Sequence, residues 1–166
     1  MAAARRTLGR VAHLLAVDLG LRAGLAVYGE DGRLEGYRSR NFGNRTRLKR
    51  AIPGVLAGVP DLRYLVVEGD RSLGQRWVSA ATRVGVTTLL VAAEEWRARL
   101  LLPRERRNGV DAKRFAERLS RKVITWAGAS RPTSLTDDAA EAILIGLWGV
   151  IEVGWLAGLP RDLRLR

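Results

Sequence analysis

The chain has 166 residues, no cysteine and a net charge of +12. That length suits a single domain with its own core, and a composition 47% hydrophobic and 28% charged excludes a disordered, solvating chain. Without cysteine there is no disulfide, thiolate metal site or cysteine nucleophile, in keeping with a cytoplasmic setting.

Of the 29 basic residues only Lys49, Lys113 and Lys122 are lysine; the other 26 are arginine. Arginine grips phosphate through two donors at once, so a strongly basic, arginine-rich chain points to a nucleic-acid partner. The opening M-A-A-A-R-R-T-L-G-R has no long apolar run behind it and reads as a basic tail over residues 1–10, not a secretory signal. A second basic tail covers 160–166. Residues 139–159 match a membrane span in length, but Glu141, Glu152 and four glycines interrupt them. They read as a buried helix, with no membrane partner.

In chain order, the apolar run 14–17 is the first strand. Gly29 and Gly32 bracket Glu30 and Asp31 as a hairpin turn between strands 25–28 and 34–38. Residues 44–56 are helical in pattern, with Pro53 expected to break or kink them. Strand 63–68 carries four successive apolar residues, the mark of a central strand buried on both faces. Ser72 is the expected N-cap of a helix to about Val84, and 86–91 is a fifth strand. Residues 94–102 form either a short helix or a loop edge. P-R-E-R-R-N-G is a charged connection, after which Asp111 is expected to cap a helix with Phe115, Leu119 and Val123 on one face. Thr136 or Asp137 caps the last helix. The order implies an α/β fold with one mixed sheet flanked by helices.

Against this basic background four acids fall in suggestive places. Asp18 ends V-A-H-L-L-A-V and Glu68 ends Y-L-V-V, so adjacent strands would bring them together. Asp138 and Glu141, at i and i+3, lie close on one helix. Glu141 opens an almost wholly apolar run, where an unpaired buried charge is costly; a metal or an arginine partner is expected. Converging carboxylates suit Mg²⁺, and paired divalent ions can hydrolyse phosphodiesters. Asp70 reads as a turn residue and Asp137 as a cap. His13, the only histidine, reads as structural, and Trp126, Trp148 and Trp155 as packing aromatics.

L-A-V-D-L-G-L-R-A-G-L-A-V resembles the first strand and hairpin of the RNase H-like superfamily. V-V-E-G-D-R-S-L-G-Q and D-A-A-E-A-I-L-I-G-L-W resemble the second and third blocks of RuvC-type Holliday-junction resolvases, and V-A-A-E-E-W-R with N-G-V-D-A-K-R-F-A-E-R-L the segment between. The resemblance implies an RNase H-like fold with three antiparallel strands followed by two parallel ones. It implies a homodimeric, structure-selective endonuclease that cuts four-way DNA junctions with Mg²⁺ or Mn²⁺ and serves recombination and repair in a bacterial or phage setting. Asp18, Glu68, Asp138 and Glu141 match its metal-binding carboxylates, although the family more often has aspartate where Glu141 stands. Lys113 matches a basic residue near the scissile phosphate. The family's junction wedge has no clear counterpart, with Leu73 and Trp77 as candidates. Other readings are an RNase H-like nuclease for RNA–DNA hybrids or a non-catalytic nucleic-acid-binding module. An actin-like nucleotide site would need about twice this length, so no nucleotide cofactor is expected.

Overall fold

A computed structural model describes residues 10–165. Of the expected N-terminal tail only Arg10 is included, pairing with Asp61 at 3.5 Å; residues 1–9 lie outside the described residues.

Five strands form one sheet: β1 (His13–Asp18), β2 (Arg22–Gly29), β3 (Leu34–Asn41), β4 (Leu62–Glu68) and β5 (Thr87–Val91), in the order β3-β2-β1-β4-β5. The β1–β2 and β2–β3 pairs are antiparallel; β4 runs parallel to both β1 and β5. Alternation along a strand sends successive side chains to opposite faces. Leu14, Ala16 and Val66 accordingly enter one core, and Leu15, Val17, Leu65 and Val67 the other. The first core lies under α3 (Ala93–Leu100), α4 (Gly109–Ala127) and α5 (Asp137–Glu152); the second under α1 (Arg45–Ala57) and α2 (Arg71–Arg83). This is the mixed five-stranded α/β fold that the chain order implies.

Several local expectations are corrected. Pro53 does not break α1, which continues through it from Arg45 to Ala57. The proline is exposed, so water can solvate the carbonyl it leaves without a donor, while Leu48, Ile52, Val55 and Leu56 anchor the opposite face. Asp70, not Ser72, caps α2; its carboxylate accepts from the backbone N–H groups of Ser72 and Leu73 at 2.7 and 3.1 Å. Asn108, not Asp111, caps α4, accepting from Asp111 N–H at 2.8 Å. In both cases the true cap lies two or three residues earlier, where the backbone is still extended. Residues 93–100 are the helical alternative of the two left open, and Thr136 is the N-cap of α5.

Helix α5 is buried along almost all of its length. It rests directly on the sheet because its contact face carries glycine. A Cβ at Gly146 would lie 2.3 Å from Tyr28 Cε2, and one at Gly149 would lie 2.7 Å from Val66 Cγ2. Tyr28 fixes the height of the helix by donating its hydroxyl to the Ile143 carbonyl at 2.5 Å. Among the described residues no helix is long and apolar enough to cross a membrane.

The remaining expectations concern packing. His13 is held at both nitrogens, Nδ1 facing the Pro60 carbonyl at 2.6 Å and Nε2 facing Glu35 Oε2 at 2.9 Å; it ties β1 to β3. Trp126, Trp148 and Trp155 all pack on the α5 side of the sheet. The basic segment after Pro160 is anchored by fully buried Leu163 and by Lys122, which donates to the Arg164 carbonyl at 3.0 Å.

Candidate metal centre

The site is built on one row of the sheet. Register places Ser39 beside Gly24, Gly24 beside Asp18, Asp18 beside Glu68, and Glu68 beside Val91, so a single line crosses all five strands. Asp18 and Glu68 follow Ala16 and Val66 by two residues, so their side chains share the face covered by α5. Parallel neighbours about 4.8 Å apart put two carboxylates side by side at the strand ends. Gly24 lets the start of α5 come down onto this row: a Cβ there would lie 1.8 Å from the Asp138 carbonyl oxygen.

The helix completes the cluster. One carboxylate oxygen from each of Asp18, Glu68 and Glu141 lies within 4.8 Å of the others, a spacing that can hold a metal ion. Asp138 is engaged elsewhere. Its carboxylate accepts from Ser39 Oγ at 2.6 Å and from the backbone N–H of Ala139 at 2.9 Å. The i, i+3 spacing thus brings Asp138 and Glu141 near one site without giving them the same partners. Free N–H groups in the first helical turn compete for any carboxylate there.

Electrostatics mark the cluster as short of positive charge. Burial, reinforced by Glu141, Glu68 and Asp138, pushes the Asp18 carboxyl up to about 8. Burial and Glu141 also raise Glu68, against a lowering pull from Arg97. For Asp138 burial acts upward, but the bond from Ser39, the Ala139 N–H and the charge of Arg22 prevail and lower it. A half-buried group of carboxylates that holds a proton near neutrality fits a cation, whose charge would replace that proton.

Arg97 and Ser39 are the contributors that sequence reasoning misses. Arg97 on α3 pairs with Glu141, Nη2 to Oε1 at 3.6 Å, so Glu141 does have an arginine partner. Nothing in the sequence singles it out among 26 arginines. Ser39 is legible only once the hairpin register is known. Lys113 is exposed on α4, its Nζ 4.0 Å from Asp137 at the start of α5. Glu68 also borders an open cavity of about 850 Å³ between α2 and α3 that is lined by Asp70, Glu94 and Leu90 among others. The two wedge candidates are buried, Trp77 wholly and Leu73 nearly so, in the α1–α2 core. Trp77 stacks edge-on to Phe42, and neither side chain is free to enter a junction.

The strand order, the antiparallel first three strands and the helix laid over their acidic row define the RNase H-like fold. Solved RuvC structures share this fold. The structure of Thermus thermophilus RuvC in complex with a Holliday-junction substrate is similar over 86% of this chain and 96% of that one, with TM-score 0.57 and 16% identity. A second Thermus thermophilus RuvC structure is similar over 85% of this chain and 95% of that one, with TM-score 0.56 and 15% identity. No protein-family model and no curated protein sequence matches the chain.

Proposed function

We propose that the protein is a metal-dependent endonuclease that resolves four-way DNA junctions. The observation that carries this reading is the convergence of Asp18, Glu68 and Glu141, with Asp138 beside them, on a fold whose solved counterpart was captured with a Holliday junction. Divalent ions, Mg²⁺ with Mn²⁺ as substitute, would supply an activated water and neutralise charge on the leaving oxygen. The chain's own residues do the rest. Asp18, Glu68 and Glu141 bind the cation, and Asp138, oriented by Ser39, closes the site on its β3 side.

Lys113 pairs with the phosphate next to the cut. Its contact with Asp137 is long and both side chains are exposed, so releasing it costs little. Arginines grip the DNA backbone without reading sequence, among them Arg45, Arg76 and Arg83, which line a groove between α1 and α2 with Lys49. Two symmetric cuts require two active sites, hence a two-fold homodimer of single-domain subunits.

The test is cleavage with Mg²⁺ of a labelled four-way junction, a linear duplex and an RNA–DNA hybrid. Preferential, paired nicking of the junction is expected. Equal cutting of all three would remove the junction assignment, and junction binding without cutting would leave a nucleic-acid-binding module.

A further inference from the structure

We propose that Arg97 is a resident counter-ion of the acid cluster, competing with the divalent cation for Glu141. The inference rests on reading the cluster as a metal centre. Helix α3 buries Trp96 and Leu100 and thereby turns Arg97 toward α5. There its guanidinium stands 3.6 Å from Glu141 Oε1, one of the three carboxylates that approach one another.

The geometry is that of a counter-ion, not a brace. An arginine that positions a carboxylate does so with short, paired N–H donors. Arg97 makes no hydrogen bond to Glu141 within 3.5 Å, and its buried Nε has no partner. The side-chain bond from Ser39 to Asp138, at 2.6 Å, is what bracing looks like in this site. Without metal, the crowded carboxylates gain from one nearby positive charge. A cation arriving at Glu141 meets that charge and must displace it. Once displaced, the guanidinium is free to meet phosphate at the mouth of the site, so metal loading and substrate binding reinforce each other.

The decisive experiment is calorimetric titration of Mn²⁺ into the DNA-free protein, comparing wild type with Arg97→Gln, Arg97→Lys and Asp18→Asn. Removing a neighbouring like charge that is partly screened by solvent should tighten Mn²⁺ binding about five- to tenfold in Arg97→Gln, with Arg97→Lys close to wild type. The rise in Tm on adding Mn²⁺ should be larger in Arg97→Gln, which also shows that the variant is folded. Unchanged or weaker Mn²⁺ binding in Arg97→Gln would overturn the inference; weaker binding would make Arg97 a positioning residue for Glu141. If wild type shows no Mn²⁺ binding that Asp18→Asn removes, the metal-centre reading itself falls, a result distinct from either outcome at Arg97.

Discussion

Replacing Asp18 by asparagine should stabilise the metal-free protein while abolishing cleavage. In the fold, burial and the charges of Glu141, Glu68 and Asp138 raise this carboxyl from 3.8 to about 8. A raised folded-state pKa means that the native state binds the proton more tightly than the unfolded chain. The associated stability is complete below the unfolded value and drains away as pH rises through the window up to about 8. Each pH unit inside that window costs about 1.4 kcal/mol, so the wild type should lose roughly 4 kcal/mol between pH 5 and pH 8. For a chain of this size that is about 10 °C in Tm. Asp18→Asn keeps the side-chain shape and removes this titration, so its profile should be flatter over the same range, keeping only the slope that the raised Glu68 contributes. Thermal unfolding in EDTA across pH 5–8.5 gives both curves. Adding Mg²⁺ at pH 8 should restore much of the wild-type loss and none in the variant, because only a bound ligand of the native state stabilises it. A wild-type profile as flat as the variant's would refute the argument that burial and the neighbouring carboxylates raise Asp18.

Three further outcomes follow from the packing around the same row. Gly24→Ala would place a methyl 1.8 Å from the Asp138 carbonyl oxygen, a backbone atom that cannot turn aside. Stability should fall by about 1–3 kcal/mol in denaturant titrations, and cleavage should fall with it as the start of α5 lifts. Tyr28→Phe removes the donor to Ile143 from a fully buried site; a loss of about 1 kcal/mol with cleavage retained is expected, read from the urea midpoint and the junction assay. Lys113→Gln should leave Tm unchanged, since its pair with Asp137 is exposed. Single-turnover cleavage should drop at least about tenfold in that variant if the ammonium meets developing charge.

The sheet was legible in the chain because its signals are local. The Gly29–Gly32 turn sets the hairpin, and the unbroken Tyr64–Val67 run marks an interior strand, paired on both sides. Asp18 and Glu68 were legible for the same reason, as polar residues ending apolar strands that turn out to pair. The caps were less so, because Asp70 and Ser72, or Asn108 and Asp111, are chemically equivalent candidates and only backbone conformation separates them. Continuity of α1 through Pro53 was illegible because the cost of proline depends on whether the freed carbonyl meets water, which is a tertiary fact. Trp77 shows the converse: an aromatic near the site invites a functional reading, and its burial in the α1–α2 core withdraws it.

Glu141 and Asp138 share the start of α5 but face different neighbours. Three residues along a helix advance about 300°, so Glu141 stands roughly 60° round α5 from Asp138. Asp138 overhangs Gly24 and bonds to Ser39, on the β2–β3 side of the row. Glu141 is turned toward α3, where Arg97 meets it. From that side an aspartate would stop one methylene short, whereas the longer arm of Glu141 brings its carboxylate back within 4.8 Å of those of Asp18 and Glu68. The length of Glu141 and the position of Arg97 on α3 both fit this helix orientation. The same side chain that reaches the strand-end acids also pairs with Arg97, its one ion-pair partner among the described residues.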